Sequence, residues 1–256
     1  MKAMIFAAGI GSRLRPITDN RPKALVEING RTMLEMALLR LRAFGVSDVI
    51  INVFHFADMI EEYLATNSNF GLRIEISREE TLLDTGGGLK KAAHFFLKNP
   101  GNDFANDAGD SDEPFIVHNV DVLSAIDLQR MVEFHKNNQA LATLAVQDRN
   151  TSRYLLFDDQ LLLCGRRSAG DPTELVSPRE ATRALAFSGI HVISPRLLSL
   201  MTEDGAFSII ASYLRLAVQG EKILAFRADK YYWRDLGSPE NIRQAAQDLK
   251  QKLISP

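Results

Sequence analysis

The amino-acid sequence predicts an α/β fold of three layers, in which a mixed, mostly parallel sheet is flanked by helices. Short apolar runs alternate with longer runs of helical spacing along most of the 256 residues, and this pattern is typical of stacked βαβ units. A chain of this length can bury one substantial core. Its content of 46% apolar and 24% charged residues is that of an ordinary folded globule.

The first half of the chain shows the most regular alternation. Its predicted strands are Ala3–Ala7, Val49–Val53, Leu72–Ile76, Phe115–His118 and Ala140–Val146. Its predicted helices are Met33–Phe44 before a stop at Gly45, Asp58–Leu64, a segment from Gly86 to Phe96, and Asp127–Asn138. Between Asn99 and Pro114 the sequence is rich in Asp, Asn and Gly, so we expect a flexible surface excursion there.

The second half of the chain changes to shorter strands and a polar loop that runs through Pro178. Its predicted strands are Tyr154–Phe157, Leu161–Cys164, Phe187–Ile193 and Ile223–Phe226. Its predicted helices are Ile209–Val218 and a terminal helix that begins near Ser238-Pro239, a pair typical of an N-cap followed by the first helical position. Because no linker separates independent domains, we expect a single domain over residues 1–256, with two halves that divide near residue 150.

The charge balance excludes several classes of partner. Thirty basic and thirty-two acidic residues give a formal net charge of −2, so there is no basic excess to hold nucleic acid or an anionic membrane. The single Cys164 cannot form an internal disulfide. The apolar run at the N-terminus is short and Arg13 and Arg15 follow it closely, so it lacks the longer apolar region of a signal peptide. No apolar run reaches the ~18 residues that a membrane span needs. We therefore expect a cytoplasmic protein without nucleic-acid or membrane partners.

The most specific motif follows the first predicted strand and reads Ala8-Gly9-Ile10-Gly11-Ser12-Arg13-Leu14-Arg15-Pro16, with Thr18 and Pro22-Lys23 after it. Closely spaced glycines let backbone N–H groups converge on phosphate oxygens. Arg13 can present a fork of donors to phosphate, and Lys23 adds a compact positive charge. The alternative is a glycine turn with solvated arginines. The dinucleotide fingerprint would need a third glycine where Leu14 stands, and the Walker loop is absent from the sequence.

Two acidic residues are candidate metal ligands. Asp121 follows the buried strand Phe115–His118 and so lies at the carboxyl end, where open α/β sheets place ligands. Asp235 precedes the terminal helix. With phosphate oxygens and water, two such carboxylates would meet the octahedral demands of Mg²⁺. The alternatives are a turn or helix-cap role for Asp121, and for Asp235 a favourable charge at the helix N-terminus.

These motifs together resemble the sugar-1-phosphate nucleotidylyltransferases, also called NDP-sugar pyrophosphorylases. The resemblance is strongest in the loop from Gly9 to Lys23 and extends over almost the whole chain. It includes Thr85-Gly86-Gly87, Asn119-Val120-Asp121, Phe187-Ser188-Gly189 and Trp233-Arg234-Asp235-Leu236-Gly237. The short chain is similar to compact members such as N-acetylmuramate 1-phosphate uridylyltransferases and mannose-1-phosphate guanylyltransferase-like proteins. The resemblance implies a Rossmann-like fold of the nucleotide-diphospho-sugar transferase type, with residues 1–150 binding the nucleotide and residues 151–256 facing the sugar phosphate.

The resemblance also implies an activity and a set of site residues. The expected enzyme couples an NTP, with UTP or GTP favoured, to a sugar 1-phosphate and gives an NDP-sugar and pyrophosphate with the help of Mg²⁺. The expected catalytic residues are Arg13, Lys23 and Asp121, and the expected metal ligands are Asp121 and Asp235. The expected nucleotide-binding residues are Ala8, Gly9, Gly11, Ser12, Arg13, Lys23, Glu79, Thr85 and Gly86. The expected sugar-phosphate residues are Asn119, Ser188 and Gly189. We expect a monomer or a small homo-oligomer.

The sequence departs from the family pattern at two places. Val120 stands where the family usually has glycine, and valine cannot readily adopt a positive φ. The Glu-Lys-Pro motif that holds the sugar phosphate in many relatives is missing, and Arg166 or Arg167 is a candidate substitute, the alternative being a solvated basic pair.

Two other classes of function fit the sequence less well. A non-catalytic, nucleotide-sugar-binding regulatory paralogue would tend to lose the metal aspartates or the phosphate-binding Arg and Lys, which all remain here. An NAD-dependent oxidoreductase is disfavoured by the missing third glycine.

Glu79, five positions before Asp84, stands where related enzymes often have a base-reading side chain, so the resemblance makes it the candidate for reading the base. An ionised carboxylate only accepts hydrogen bonds, so it suits the donor edge of guanine or the N3–H of uracil and thymine. It would oppose the acceptor at cytosine N3. A solvated surface glutamate is the alternative, and the two interpretations carry equal weight.

We predict that Glu79→Gln alters nucleotide preference, because the amide adds a donor where the carboxylate only accepted. The measurement is kcat/KM for each of the four NTPs. Unchanged ratios among them would remove Glu79 from the base site.

Overall fold

The computed structural model of the chain describes residues 1–97, 113–170, 172–176, 181–251 and 253. Most of the predicted excursion Asn99–Pro114 lies outside these residues, as does the end of the polar loop at Pro178. Among the helices of the described part, none combines the length and apolar character that a membrane crossing requires.

Strands and helices alternate over most of the first half of the chain, as predicted, and the second half contains a run of consecutive strands. The strands are β1 (Lys2–Phe6), β2 (Glu27–Ile28), β3 (Arg31–Thr32), β4 (Asp48–Val53), β5 (Arg73–Arg78), β6 (Phe115–Asn119), β7 (Val122–Ser124), β8 (Ala142–Gln147), β9 (Arg153–Phe157), β10 (Leu163–Ser168), β11 (Glu174–Leu175), β12 (Arg183–Ile193), β13 (Ile223–Arg227) and β14 (Trp233–Asp235). The helices are α1 (Met33–Ala43), α2 (Ala57–Thr66), α3 (Asp84–Lys91), α4 (Ala93–Phe96), α5 (Leu128–Asn137), α6 (Arg196–Leu200), α7 (Ile209–Val218) and α8 (Pro239–Lys250).

The first compact unit comprises residues 1–83, 117–127 and 231–256. Its sheet places β1 between β4 and the part of β6 that belongs to this unit, with β5 next to β4. The β1–β4 and β4–β5 pairs are parallel. Strand β1 is buried from Ala3 to Phe6, which explains why its sequence is a continuous apolar run and not an alternating one. The loops that follow parallel strands therefore emerge at one edge of this sheet.

Helix α1 shows how the sequence sets an element's ends. The Thr32 hydroxyl accepts a hydrogen bond from the Glu35 amide (3.0 Å) and so caps the helix. The helix ends at Ala43, just before the predicted stop at Gly45. Its buried face includes Leu34, Leu38 and Leu41, a spacing of four and three residues that places them on one side.

The second compact unit comprises residues 84–116 and 128–230. Strand β12 pairs antiparallel with both β8 and β9, and β8 pairs parallel with β13. Helices α5 and α7 pack on this sheet. The α/β fold with a mixed sheet and flanking helices is thus confirmed. Residue 150 lies inside this unit, and the division of a single domain near that position stays a prediction.

His135 is a buried polar residue within the second unit. Its ring nitrogens lie 3.0 Å from the Thr143 and Ser194 hydroxyls. Desolvation, followed by the charge of Lys136, lowers the pKa of His135 to about 4. The imidazole is therefore neutral in the folded chain at neutral pH, while an unfolded chain takes up a proton at a higher pH.

We predict that the free energy of unfolding falls as the pH is lowered from about 7 to about 4. Over this interval the His135 imidazole binds a proton in the unfolded state but stays largely neutral in the folded state. His135→Gln should lose less stability over this interval than the wild type, by up to about 3 kcal/mol. Urea unfolding at the two pH values measures both proteins. An equal pH dependence in the two would contradict the prediction.

Candidate active site

The loop after β1 has the geometry of an anion cradle. Ala8 is buried, whereas Gly9 and Ser12 are exposed. Gly11 adopts a left-handed conformation (φ 71°) and leads into a 3₁₀ turn over Ser12–Leu14. Among the hydrogen bonds of the described residues, none is donated by the amides from Gly9 to Arg13. These free N–H groups are available to an anionic ligand.

Packing makes glycine necessary at position 11. A Cβ there would lie 3.0 Å from Lys23 Cβ and 3.0 Å from Thr18 Cγ2, in addition to the strain of the positive φ. The Thr18 hydroxyl donates a 2.9 Å hydrogen bond to the Gly11 carbonyl. These contacts bring the stem of Lys23 against the glycine loop.

Lys23 and Asp121 form an ion pair in the first unit. Lys23 Nζ contacts Asp121 Oδ2, with side chains that are 10% and 21% exposed. Low exposure strengthens the attraction, because little water screens it. The expected role of Lys23 is to bind phosphate, and that of Asp121 is to bind a metal. In the structure the two residues pair with each other, so the Asp121 carboxylate is paired with the Lys23 ammonium group.

Asp121 and Asp235 are carried by one short ladder. Strands β7 and β14 are antiparallel, with Asp235 opposite Val122. The Leu236 amide donates a 2.8 Å hydrogen bond to the Asp121 carbonyl. The structure thus brings together two acids that are far apart in sequence, with Asp235 at the end of β14 and Asp121 in the turn just before β7.

Val120 does not disturb this turn. It is not one of the described residues with a positive φ. Its amide donates a 3.1 Å hydrogen bond to the Phe6 carbonyl, which ties the turn to the end of β1. The backbone therefore does not require the glycine that relatives carry at this position.

Arg13 extends from the glycine loop toward Asp235. Its guanidinium lies 3.9 Å from Asp235 Oδ2, and its side chain is 67% exposed, so it is free to reorient toward a ligand. Asp235 Oδ1 accepts a hydrogen bond from the Gly237 amide. A Cβ at Gly237 would lie 2.4 Å from Arg13 Nη2 and 2.6 Å from Asp235 Oδ1. In the sequence Gly237 stands out only as part of a motif, and the structure shows that it leaves space for Arg13.

Glu79 is buried and already hydrogen-bonded. It is 5% exposed. Its Oε1 accepts from the Asn52 amide group (2.7 Å) and its Oε2 from the Leu83 amide (3.0 Å). Asn52 in turn accepts a 2.9 Å bond from the Ala7 amide at the start of the loop. Base reading by Glu79 stays a prediction, and the structure adds a supporting role. Sequence reasoning missed Asn52, whose polar side chain inside an apolar strand was the available signal.

His118 and Asn119 close β6 beside Asp121. His118 Nδ1 lies 2.8 Å from the Asn119 carbonyl. Desolvation, followed by the charge of Arg40, lowers the pKa of His118 to about 4. This imidazole is therefore neutral at neutral pH, with its Nδ1–H donated to the carbonyl. Asn119 Oδ1 is buried and has no hydrogen-bond partner in the described part of the chain, which leaves an acceptor for a ligand hydroxyl.

Thr85 and Gly86 have structural contacts inside the second unit. The Thr85 hydroxyl accepts a 3.0 Å bond from the Ile209 amide and so satisfies the start of α7. The Gly86 amide donates a 2.8 Å bond to the Phe207 carbonyl. A Cβ on Gly86 would lie 2.3 Å from the Phe207 ring. These contacts explain the residue types without a ligand, and the nucleotide contacts stay predictions.

Ser188 and Gly189 lie in an irregular part of β12. Phe187 pairs with Val146 and His191 with Leu144, so the strand gains extra residues between those pairs. Gly189 has φ 73°, a conformation that the distortion requires. Both residues are buried. Their predicted contact with the sugar stays a prediction.

The two arginines that were candidates to replace Glu-Lys-Pro contact protein groups in the second unit. Arg166 Nε lies 2.6 Å from Glu174 Oε2. The Arg167 guanidinium stacks 5.2 Å from the centre of the Tyr154 ring. Either residue would have to exchange these contacts for a phosphate, and their substitution for Glu-Lys-Pro stays a prediction.

Comparison with known sequences gives a consistent picture. The model of the nucleotidyl transferase family matches residues 2–252. The N-acetylmuramate alpha-1-phosphate uridylyltransferase of Caulobacter vibrioides is 33% identical over 245 residues, which cover 93% of this chain and 92% of that protein. A UTP–glucose-1-phosphate uridylyltransferase of Synechocystis sp. is 28% identical over 99% of this chain. A mannose-1-phosphate guanyltransferase of Yarrowia lipolytica is 30% identical over 94%. This chain spans only 64% and 62% of those two proteins.

Solved structures share the fold. HddC from Yersinia pseudotuberculosis, complexed with GMP-PN, superposes with a TM-score of 0.74 at 21% identity, over 97% of this chain and 99% of that one. UDP-glucose pyrophosphorylase from Acinetobacter baumanii gives a TM-score of 0.76 at 18% identity, over 98% and 94%. At this level of identity the likeness establishes the architecture alone.

We predict that Gly86→Ala destabilises the chain by about 1–3 kcal/mol, because the added methyl overlaps the Phe207 ring and carbonyl. The midpoint of chemical or thermal unfolding measures the effect. Gly9→Ala is the matched control, since a Cβ there meets no atom within 4 Å and stability should change little. Equal stability of the two variants would contradict the assigned packing role.

Proposed function

The chain belongs to the nucleotidyl transferase family, and we propose on that premise that it is a sugar-1-phosphate nucleotidylyltransferase. It joins an NTP to a sugar 1-phosphate and releases pyrophosphate. The observation that carries the proposal is the arrangement in the first unit, where the free amides of the glycine loop adjoin the Lys23–Asp121 pair. The named relatives are transferases and the charged residues are retained, so a non-catalytic paralogue has no support.

UTP is the proposed nucleotide and an N-acetylated sugar 1-phosphate the proposed acceptor. The relative that matches over almost its whole length is an N-acetylmuramate alpha-1-phosphate uridylyltransferase. The missing Glu-Lys-Pro motif agrees with this choice. GTP is the second candidate, because mannose-1-phosphate guanyltransferases are also similar.

Asp121 and Asp235 suit a magnesium ion. Both are hard oxygen donors, Asp235 at the end of β14 and Asp121 just before the paired strand β7, and each contacts a cationic side chain, Lys23 or Arg13. Within the residues described, no group of three or more His, Cys, Asp or Glu side chains could hold a metal. The remaining positions of an octahedron would then be filled by substrate phosphates and water. When bound, Mg²⁺ supplies charge neutralisation and alignment of the phosphates.

The proposed reaction is a direct displacement. An oxygen of the sugar phosphate attacks the α-phosphorus of the NTP, and the bond from that phosphorus to the bridging oxygen breaks. The electron pair leaves with pyrophosphate. The nucleophile is already an anion, so no general base is needed, and His118 is neutral and buried.

The chain's own groups overcome the repulsion between two polyanions. The loop amides and the exposed Arg13 hold the β- and γ-phosphates, and Lys23 offsets charge that develops at the α-phosphoryl group. Rotation of Lys23 from Asp121 toward a phosphate would free a carboxylate for the metal. Asn119 Oδ1, an acceptor without a described partner, is placed to receive a sugar hydroxyl.

The test is a matrix of four NTPs against several sugar 1-phosphates, scored by pyrophosphate release. We expect the highest kcat/KM with UTP and N-acetylmuramate 1-phosphate. Asp121→Asn should lower kcat by a factor of about 10² or more, because it removes one of the proposed metal ligands and weakens stabilisation of the developing charge. Normal turnover of that variant with Mg²⁺, or no pyrophosphate from any pair with the wild type, would refute the proposal.

A further inference from the structure

The two acids that the proposed function assigns to the metal depend on a very small ladder. Strands β7 and β14 form a separate two-stranded sheet with three paired positions. A hairpin or ladder of two strands is marginal in water without further packing. The carboxylates of Asp121 and Asp235 can keep their spacing only if other groups hold this ladder in place.

A half-buried cation holds the β7 side. Arg40 projects from α1, and its two terminal nitrogens donate hydrogen bonds to the carbonyls of Ser124 and Ile126. Desolvation lowers the pKa of Arg40 to about 10, so it stays charged at neutral pH. Two carbonyls on one planar guanidinium fix the direction in which the backbone leaves β7.

A buried anion holds the β14 side. Asp248 projects from α8 and is 4% exposed. Its Oδ2 accepts from the Tyr232 hydroxyl at 2.6 Å and from the Arg234 guanidinium at 2.9 Å, and its Oδ1 accepts from Gln244 at 2.9 Å. Tyr232 and Arg234 both belong to the segment that leads into Asp235.

The terminal helix is linked to the ladder through very few residues. Ser238 caps α8 by accepting a hydrogen bond from the Asn241 amide (3.3 Å), as predicted. The helix begins at Pro239, just after Asp235 and Gly237. A shift of α8 would therefore be transmitted directly to Asp235.

We propose that Arg40 and Asp248 are positioning residues that set the spacing of the Asp121 and Asp235 carboxylates for a divalent cation. The proposal rests on the proposed function, because it assumes that these carboxylates bind the metal. Arg40 acts through β7 and Asp248 through β14, and neither touches a reacting group. Loss of either contact weakens metal binding more than it weakens the fold, in the way that outer-shell partners of metal sites do.

The experiment uses Asp248→Asn and Arg40→Lys in the full chain. We expect the Mg²⁺ concentration at half-maximal pyrophosphate release to rise about tenfold, with kcat largely restored at saturating Mg²⁺. Mn²⁺ titrated into each protein and followed by the EPR signal of the free ion should show a similar loss of affinity. Tyr232→Phe removes a single bond to Asp248 and gives a milder change of the same kind, which keeps the test open if Asp248→Asn fails to fold.

Glu203→Gln is the matched control. Glu203 pairs with Arg215 at 2.8 Å in the second unit, and both side chains are partly buried. This variant should lower the Tm without shifting the Mg²⁺ or Mn²⁺ curves.

Three outcomes separate the hypotheses. If the ladder variants lose Tm as the control does but keep the wild-type metal curves, the positioning role is overturned. If the wild type binds Mn²⁺, the variants bind it more weakly and no substrate pair turns over, then the positioning role stands and the proposed reaction fails. If Mn²⁺ does not bind the wild type and Mg²⁺ does not affect its turnover, the positioning role and the metal assignment fail, while the turnover itself still supports the proposed reaction.

Discussion

The ion pair of Lys23 with Asp121 joins the loop after β1 to the turn after β6. Gly11 has no side chain, so the stem of Lys23 can pack against the loop. The Thr18 hydroxyl donates a hydrogen bond to the Gly11 carbonyl. With both partners largely buried, removal of either charge would leave the other uncompensated. The same geometry gives a ligand two groups of opposite character. A phosphate could bind the Lys23 ammonium group, and a metal could then bind the Asp121 carboxylate that Lys23 had released.

The positive groups of the site are local, because the chain as a whole carries no positive excess. The net charge is −2, so the protein has no general attraction for polyanions. Positive character is concentrated in Lys23, Arg13 and the free amides of one loop. Asp235 keeps Arg13 near the loop while leaving it exposed. In the proposed function a nucleoside triphosphate would therefore be held by a few oriented donors.

Supporting residues outside the site hold its loops at the required positions. The Ala7–Asn52–Glu79–Leu83 chain of hydrogen bonds connects the start of the glycine loop with the segment after β5. Buried polar networks of this kind tolerate little change, since each unpaired member carries a desolvation cost. Arg40 and Asp248 play the corresponding part for the acidic ladder. Among these supports, Glu79 and Asp248 are buried and Arg40 is half-buried. The amino-acid composition does not distinguish such charged residues from those on the surface.

The α/β class, the long elements and the glycine loop could be predicted from the sequence, because apolar periodicity and glycine spacing are local properties. Helix α1, its stop near Gly45 and the Ser238 cap followed from neighbouring residues. The tertiary structure was needed to show that Lys23 pairs with Asp121 and that Glu79 is buried. It was also needed to show that Asp121 lies at the end of the ladder that contains Asp235. Strands of two or three residues such as β7 and β14 have no periodicity to detect, and they exist only through packing. Long-range pairing depends on which loops the parallel sheet brings to one edge, and no local pattern encodes that.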